Sequence, residues 1–232
     1  MFTSVEKRYA PETLDDVVFC DAATEMRVKA YASGGISGHV ILYGPNGTGK
    51  TTVAKLLPIA ISGEQAIIED KSLDELLVKK DLKGYLKQAA YPTDLVYGSK
   101  HYLVYDEADA YKGNMAKFWT AVDSCGDDLM MIFTTNNPMA IPASIRSRAD
   151  EIGFPSLTPQ QFLARAQRIL IAEGVHLANK DVLFYLSQTN GVNDLRKFSR
   201  KLDELIFLTK SSQPIPPVPA PAANQRSLKI VV

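Results

Sequence analysis

Over the first two thirds of the chain, hydrophobic residues fall in short continuous runs separated by amphipathic stretches. The runs are His39–Tyr43, Ala66–Glu69, Tyr102–Tyr105, Leu129–Phe133 and Glu151–Phe154. Short apolar runs of this kind read as strands buried on both faces. Between them the spacing predicts helices near 50–61, 73–90 and 113–124. An extended lead-in comes first, then a helix over Ala22–Ala32 that stops at Ser33-Gly34-Gly35. Strands alternating with helices predict an α/β fold: a five-stranded parallel sheet sandwiched by helices, with ligands at the strands' carboxyl ends.

After Phe154-Pro155 the strand pattern stops. Three helices are expected over Pro159–Glu173, with Thr158 as N-cap, over Lys180–Gln188 and over Asn193–Lys210. In the last, Leu195, Phe198, Leu202, Leu205 and Ile206 recur at helical spacing. From Ser211 the composition changes, with prolines 214, 216, 217, 219 and 221 among Ala and Val. Such a segment favours extended polyproline geometry and cannot join a core. The expected organisation is an α/β domain over 1–155, a small helical domain over 156–210 and a Pro-rich tail over 211–232. The tail reads either as disordered or as a tethered peptide, ending Arg226–Val232, that adds a strand to a partner.

Composition changes this picture little. Lys+Arg and Asp+Glu both number 26, so no net field draws the molecule toward nucleic acid or anionic lipid. The only cysteines are Cys20 and Cys125, too few for a disulfide framework. No apolar stretch approaches the ~18 residues of a membrane span. A cytoplasmic protein without a membrane partner is expected. His39, His101 and His176 lack metal-ligand spacing, and Trp119 reads as a core or interface residue.

The candidate chemistry lies at the strand ends. Gly44-Pro45-Asn46-Gly47-Thr48-Gly49-Lys50-Thr51 is a G-x-x-x-x-G-K-[ST] phosphate loop between a strand and a helix that continues from Thr52. Its glycines let backbone N–H groups turn toward phosphate oxygens, and the helix N-terminus adds partial positive charge. Lys50 is expected on the β/γ-phosphates and the Thr51 hydroxyl on Mg²⁺. The second motif is the strand His101–Tyr105 running into Asp106-Glu107-Ala108-Asp109. Asp106 can hold Mg²⁺ through its water shell, and Glu107 can orient and deprotonate an attacking water. The following strand ends in Thr134-Thr135-Asn136-Asn137-Pro138, where a polar side chain can reach the γ-phosphate or that water.

Together with Ser147-Arg148 twelve residues further on, these motifs resemble the AAA+ ATPases, specifically the sliding-clamp-loader subgroup (replication factor C and the phage clamp loader ATPase). Val5–Val18 is similar to that family's N-terminal box, which cradles the adenine; the resemblance implies that Tyr9, Pro11, Val17 and Val18 contact the base. Ser144–Ala149 is similar to its S-R-C motif, and Gly191–Arg196 to its second-sensor motif. The resemblance covers residues 4–208 and implies a lid domain after the P-loop domain. It assigns Asn136 as first sensor, Arg196 as the lid's contact to the γ-phosphate, and Arg148 as an arginine finger reaching a neighbouring subunit. Arg146 competes for the finger role.

By that resemblance the protein is an ATP- and Mg²⁺-dependent ATPase, an oligomeric switch in DNA replication, located in the host cytoplasm if phage-encoded. Its expected partners are other AAA+ subunits across the ATP interface, primed or double-stranded DNA, and a sliding clamp or another replication protein. Lys79, Lys80, Lys83, Lys112 and Lys117, with Arg196-Lys197 and Arg200-Lys201, are the local basic residues available for DNA. A helicase loader or recombination ATPase is the alternative within the class, and an ATP-stabilised adaptor presenting its tail the alternative outside it. The sequence departs from the family in three places. Met115–Asp123 lacks the glutamine and arginines of the helix that couples DNA and neighbour to the catalytic glutamate. Ala149 stands for the motif cysteine. The 232 residues stop where the family's collar domain begins.

Overall fold

Alternation along the strands builds two faces of one sheet. In β1 (His39–Tyr43), Ile41 faces one side while Val40 and Leu42 face the other. In β3 (His101–Tyr105), Leu103 and Tyr105 oppose Tyr102 and Val104. In β4 (Leu129–Thr135), Met131 and Phe133 oppose Met130 and Ile132. Side chains two apart share a face, so a run apolar at every position must be covered twice. The computed structural model describes residues 3–63, 66–70, 80–88, 101–110, 116–124, 129–189 and 193–211.

Five strands, with β2 (Ile67–Asp70) and β5 (Ala149–Gly153), form a parallel sheet in the order β2-β3-β4-β1-β5. One face is covered by α2 (Ala22–Ala32) and α3 (Lys50–Ser62), through Val28, Tyr31, Val53 and Leu57. The other is covered by the helix at 82–88, here α4, and by α5 (Ala116–Asp123), through Leu86, Phe118 and Trp119. A one-turn helix, α6 (Ala143–Arg146), leads into β5. Because β1 lies between β4 and β5, the carboxyl ends of β1, β3 and β4 open onto one edge of the sheet, where ligands of such folds collect.

The helices α7 (Pro159–Ala172), α8 (Asn179–Ser187) and α9 (Leu195–Lys210) enclose a separate core around Phe162, Ala166, Leu186, Phe198 and Leu202. Phe162 stacks on Phe198 with centroids 5.2 Å apart. Val5, in the short α1 (Val5–Arg8), is buried in this helical core, and its N–H donates to Asp203 at 2.9 Å. The lead-in to the α/β part is thus anchored on the helical part.

Element limits differ from expectation for identifiable reasons. β4 runs on to Thr135, since the buried Thr134 and Thr135 hydroxyls find the Asp106 and Asp109 carboxylates and a polar strand end is tolerated. The last helix starts at Leu195 rather than Asn193, because the Asp194 carboxylate accepts the Arg196 N–H as an N-cap. The helix near 73–90 is described only over 82–88, and the tail beyond 211 lies outside the described residues. No described helix is long and apolar enough to cross a membrane.

Candidate functional site

Gly44, Gly47 and Gly49 take φ values of 145°, 71° and 91°, which side-chain-bearing residues rarely adopt. A Cβ on Gly44 would overlap the Phe154 carbonyl, and one on Gly47 would overlap the Asp194 carboxylate. The loop between β1 and α3 is therefore packed closely against the Phe154 backbone on one side and the Asp194 side chain on the other. Lys50 is only 7% exposed, and all three donors of its ammonium are used. Nζ lies 2.8 Å from the Gly44 carbonyl, 2.7 Å from the Pro45 carbonyl and 3.1 Å from Asn136 Oδ1. Burial lowers the Lys50 pKa, opposed by the nearby Asp106 and Asp109 carboxylates. A desolvated cation in this position gains most from an arriving anion.

The carboxylates sit at the end of β3. Asp106 Oδ1 accepts from the Thr51 hydroxyl at 2.7 Å and from the Thr134 hydroxyl at 2.5 Å. Thr134 in turn accepts the Glu107 N–H at 3.0 Å. Glu107 has φ +52°, the one described non-glycine residue in the left-handed region, and its side chain is exposed. Strain of about 1–3 kcal/mol at such a residue persists where the surroundings impose it. Here the Thr134 bond holds the turn. Asp109 accepts from the Thr135 hydroxyl and from the Asn136 N–H, holding Asn136 at the end of β4.

These groups line a cleft of about 520 Å³ between the sheet edge and the helical domain. Of the residues expected from sequence, Tyr9, Pro11, Val17, Val18, Asn46 through Thr52, Asp106, Glu107, Asn136 and Arg196 all border it. Gly44 and Pro45 lie behind it, contributing carbonyls to Lys50. Gly191 and Val192 fall outside the described residues. Arg148 is not in the cleft. It lies just before Ala149, which pairs with His39 at the start of β1, whereas the phosphate loop follows the end of β1. About 16 Å of strand separates the two levels. Arg148 stays exposed at the opposite end of the sheet. Its rival Arg146 is paired with Glu151 at 2.7 Å.

Further residues around the site were not singled out one by one from sequence. Thr134 could have been noticed as a hydroxyl closing an apolar strand. Arg165 could not: it donates to the Tyr9 carbonyl at 2.7 Å from the helical domain, a contact set by tertiary packing. Glu173, at the end of α7, receives the Tyr9 hydroxyl at 2.9 Å, Lys210 at 2.7 Å and the Arg8 guanidinium. Its carboxylate is held below the ordinary glutamate range, chiefly by the Lys210 bond. Asp194 lies against Gly47, and the adjacent Leu195 N–H donates to the Gly47 carbonyl at 2.9 Å, clipping the helical domain to the loop. Among the described residues no cluster of three or more His, Cys, Asp or Glu is arranged to hold a metal.

Comparison with known proteins agrees with this geometry. The chain is 29% identical over 203 residues to the replication factor C large subunit of Thermococcus kodakarensis, covering 82% of this chain and 39% of that protein. It is 26% identical over 209 residues to the sliding-clamp-loader large subunit of Enterobacteria phage T4, covering 86% and 63%. It thus spans 39% and 63% of the length of these two relatives, less than two thirds of either. Among solved structures, two mutant forms of Thermotoga maritima RuvB share the fold, with TM-scores of 0.65 and 0.66 at 18% and 19% identity. Those alignments cover 88% and 89% of this chain and 67% and 68% of theirs. Residues 40–157, half of the chain and the whole span from phosphate loop to β5, match the ATPase family associated with various cellular activities, and the chain belongs to that AAA family.

Proposed function

We propose that this chain binds Mg²⁺-ATP in the cleft and hydrolyses it as one subunit of an oligomeric, clamp-loader-like switch acting on DNA during replication. The observation that carries the reading is a division of labour across the sheet. Lys50, Thr51, Asp106, Glu107 and Asn136 converge at the carboxyl ends of the strands, while Arg148 sits at the opposite end, beyond reach of its own loop. An arginine so placed acts in hydrolysis only on a nucleotide held by another copy.

The roles follow from position. Lys50 exchanges its three internal acceptors for β/γ-phosphate oxygens, and Asn136, freed by the same exchange, turns to the γ-phosphate or the attacking water. Glu107 takes the proton of that water. The adjacent oxygens of Thr51 and Asp106 fit Mg²⁺, which binds through few protein groups and otherwise through phosphate and water. Mg²⁺ held there would neutralise charge on the phosphate oxygens. Tyr9, Pro11, Val17 and Val18 form the side of the cleft suited to the base, and Arg196 approaches from α9. A guanidinium from the neighbour stabilises the transferring phosphoryl group, an effect of about 10³–10⁵ in rate. Nucleotide then works as a switch by binding assembled and open states with different affinity.

Similarity to clamp-loader subunits supports DNA and a ring-shaped clamp as clients, and phosphate contacts by α9 basic residues such as Arg200 carry no sequence information. The test is ATP turnover against protein concentration, with and without primed DNA, and Glu107→Gln as the inactive control. Turnover per chain that rises with concentration and with DNA supports the reading. Turnover independent of both sinks the assembly-driven mechanism, and none at all with intact binding favours an ATP-stabilised adaptor.

A further inference from the structure

Trp119, the only tryptophan in the chain, lies in α5. It is 4% exposed, packed between the sheet and the exposed end of α6. The Arg148 guanidinium carbon lies 5.6 Å from its ring centroid, while Arg148 Nη1 donates to the Ser144 carbonyl at 2.7 Å. On another side the His39 ring meets the indole edge-on at 5.4 Å. His39 is itself fixed, since its Nδ1 accepts the Met131 N–H at 3.1 Å. The indole is thus held rigidly by the sheet, and the guanidinium sits over it. A long, exposed arginine otherwise samples many rotamers, and ordering it at each encounter costs entropy.

We propose that Trp119 is a positioning residue for Arg148: its ring pre-orders the guanidinium for delivery to the nucleotide of a neighbouring copy. This rests on the trans role of Arg148 proposed above. It also gives α5 a link between two sites. The helix follows Glu107 and the turn Ala108–Ala110 on one side, and supports the outgoing arginine on the other.

The experiment compares Trp119→Leu with Trp119→Phe, each checked by thermal melting and by nucleotide affinity. Leu removes the aromatic face; Phe retains one. The expected result is a roughly tenfold lower kcat for Trp119→Leu at unchanged ATP affinity, with most of the rate restored by Phe. Mixing then assigns the defect to a side of the interface. With Lys50→Ala as partner, which supplies a sound arginine to the sound loop of Trp119→Leu, turnover should rise to roughly a quarter of wild type in a randomly mixed assembly. With Arg148→Ala as partner it should stay near a twentieth, about half that of Trp119→Leu alone. The reverse pattern, rescue by Arg148→Ala and not by Lys50→Ala, would show that Trp119 acts on its own Glu107 and overturn the proposal. Equal loss in Leu and Phe variants would also overturn it. The Lys50→Ala plus Arg148→Ala mixture is run alongside: if that pair stays inactive, the trans role itself fails, independently of Trp119.

Discussion

At the scale of single residues, the site is a set of small polar contacts that hold charge where phosphate chemistry needs it. Thr134 is the least conspicuous of them. Its hydroxyl donates to Asp106 and accepts from the Glu107 N–H, so one oxygen places both carboxylate-bearing residues. Thr134→Val keeps the shape but removes the charge-assisted hydrogen bond to Asp106 and the acceptor of the Glu107 N–H, at a cost of about 1–3 kcal/mol. The expected outcome is a melting temperature lower by roughly 2–10 °C and a reduced kcat with ATP binding retained, read by calorimetry and steady-state turnover. At Lys50 the prediction is sharper. Lys50→Ala removes the buried cation, and stabilisation against heat by ATP should vanish; persistent stabilisation would refute the phosphate-loop assignment. Gly47→Ala tests the loop from another direction. A Cβ at φ 71° would push into Asp194, so the variant should open the helical domain away from the loop and weaken nucleotide binding, measured by titration.

At the scale of elements, the phosphate loop, Asp106, Glu107, Asn136 and the apolar strands were legible because each is a local pattern: a glycine spacing, or a hydrophobic run ending in charge. What was not legible depends on elements far apart in sequence. The Glu173 knot joins α1, α7 and α9, pinning Tyr9 beside the cleft. No spacing along the chain announces it, since its partners lie about 165 and 37 residues away. The same holds for Val5, whose burial in the helical core ties the N-terminal segment to α9. The strand limits were off where side chains satisfied a buried polar end, as at Thr134 and Thr135. Glu173 also carries a pH prediction. Its folded pKa lies below the ordinary glutamate value of about 4.3, so between the two values the unfolded chain binds more protons and stability rises with pH. The contribution is complete above that ordinary value and is lost as pH falls through the folded one. The difference in melting temperature between wild type and Glu173→Gln should therefore shrink from pH 6 toward about pH 3. A constant difference would mean the ion pairs contribute nothing.

At the scale of the whole molecule, the parallel sheet does two jobs with its two ends. The carboxyl ends of β1, β3 and β4 collect the groups proposed to hold and cleave a nucleotide, and the start of β5 presents an arginine outward. On the proposed reading such a chain is half of a site at each end, and a full site needs two copies arranged head to tail. In that reading the heterologous arrangement, rather than any single residue, turns ATP binding into assembly. The most direct measurement of this claim is the turnover of an equimolar mixture of Lys50→Ala and Arg148→Ala, each inactive alone. The account predicts recovery to about a quarter of wild-type turnover, since half of the loops and half of the arginines are sound and pair at random. A mixture as inactive as its components would contradict it.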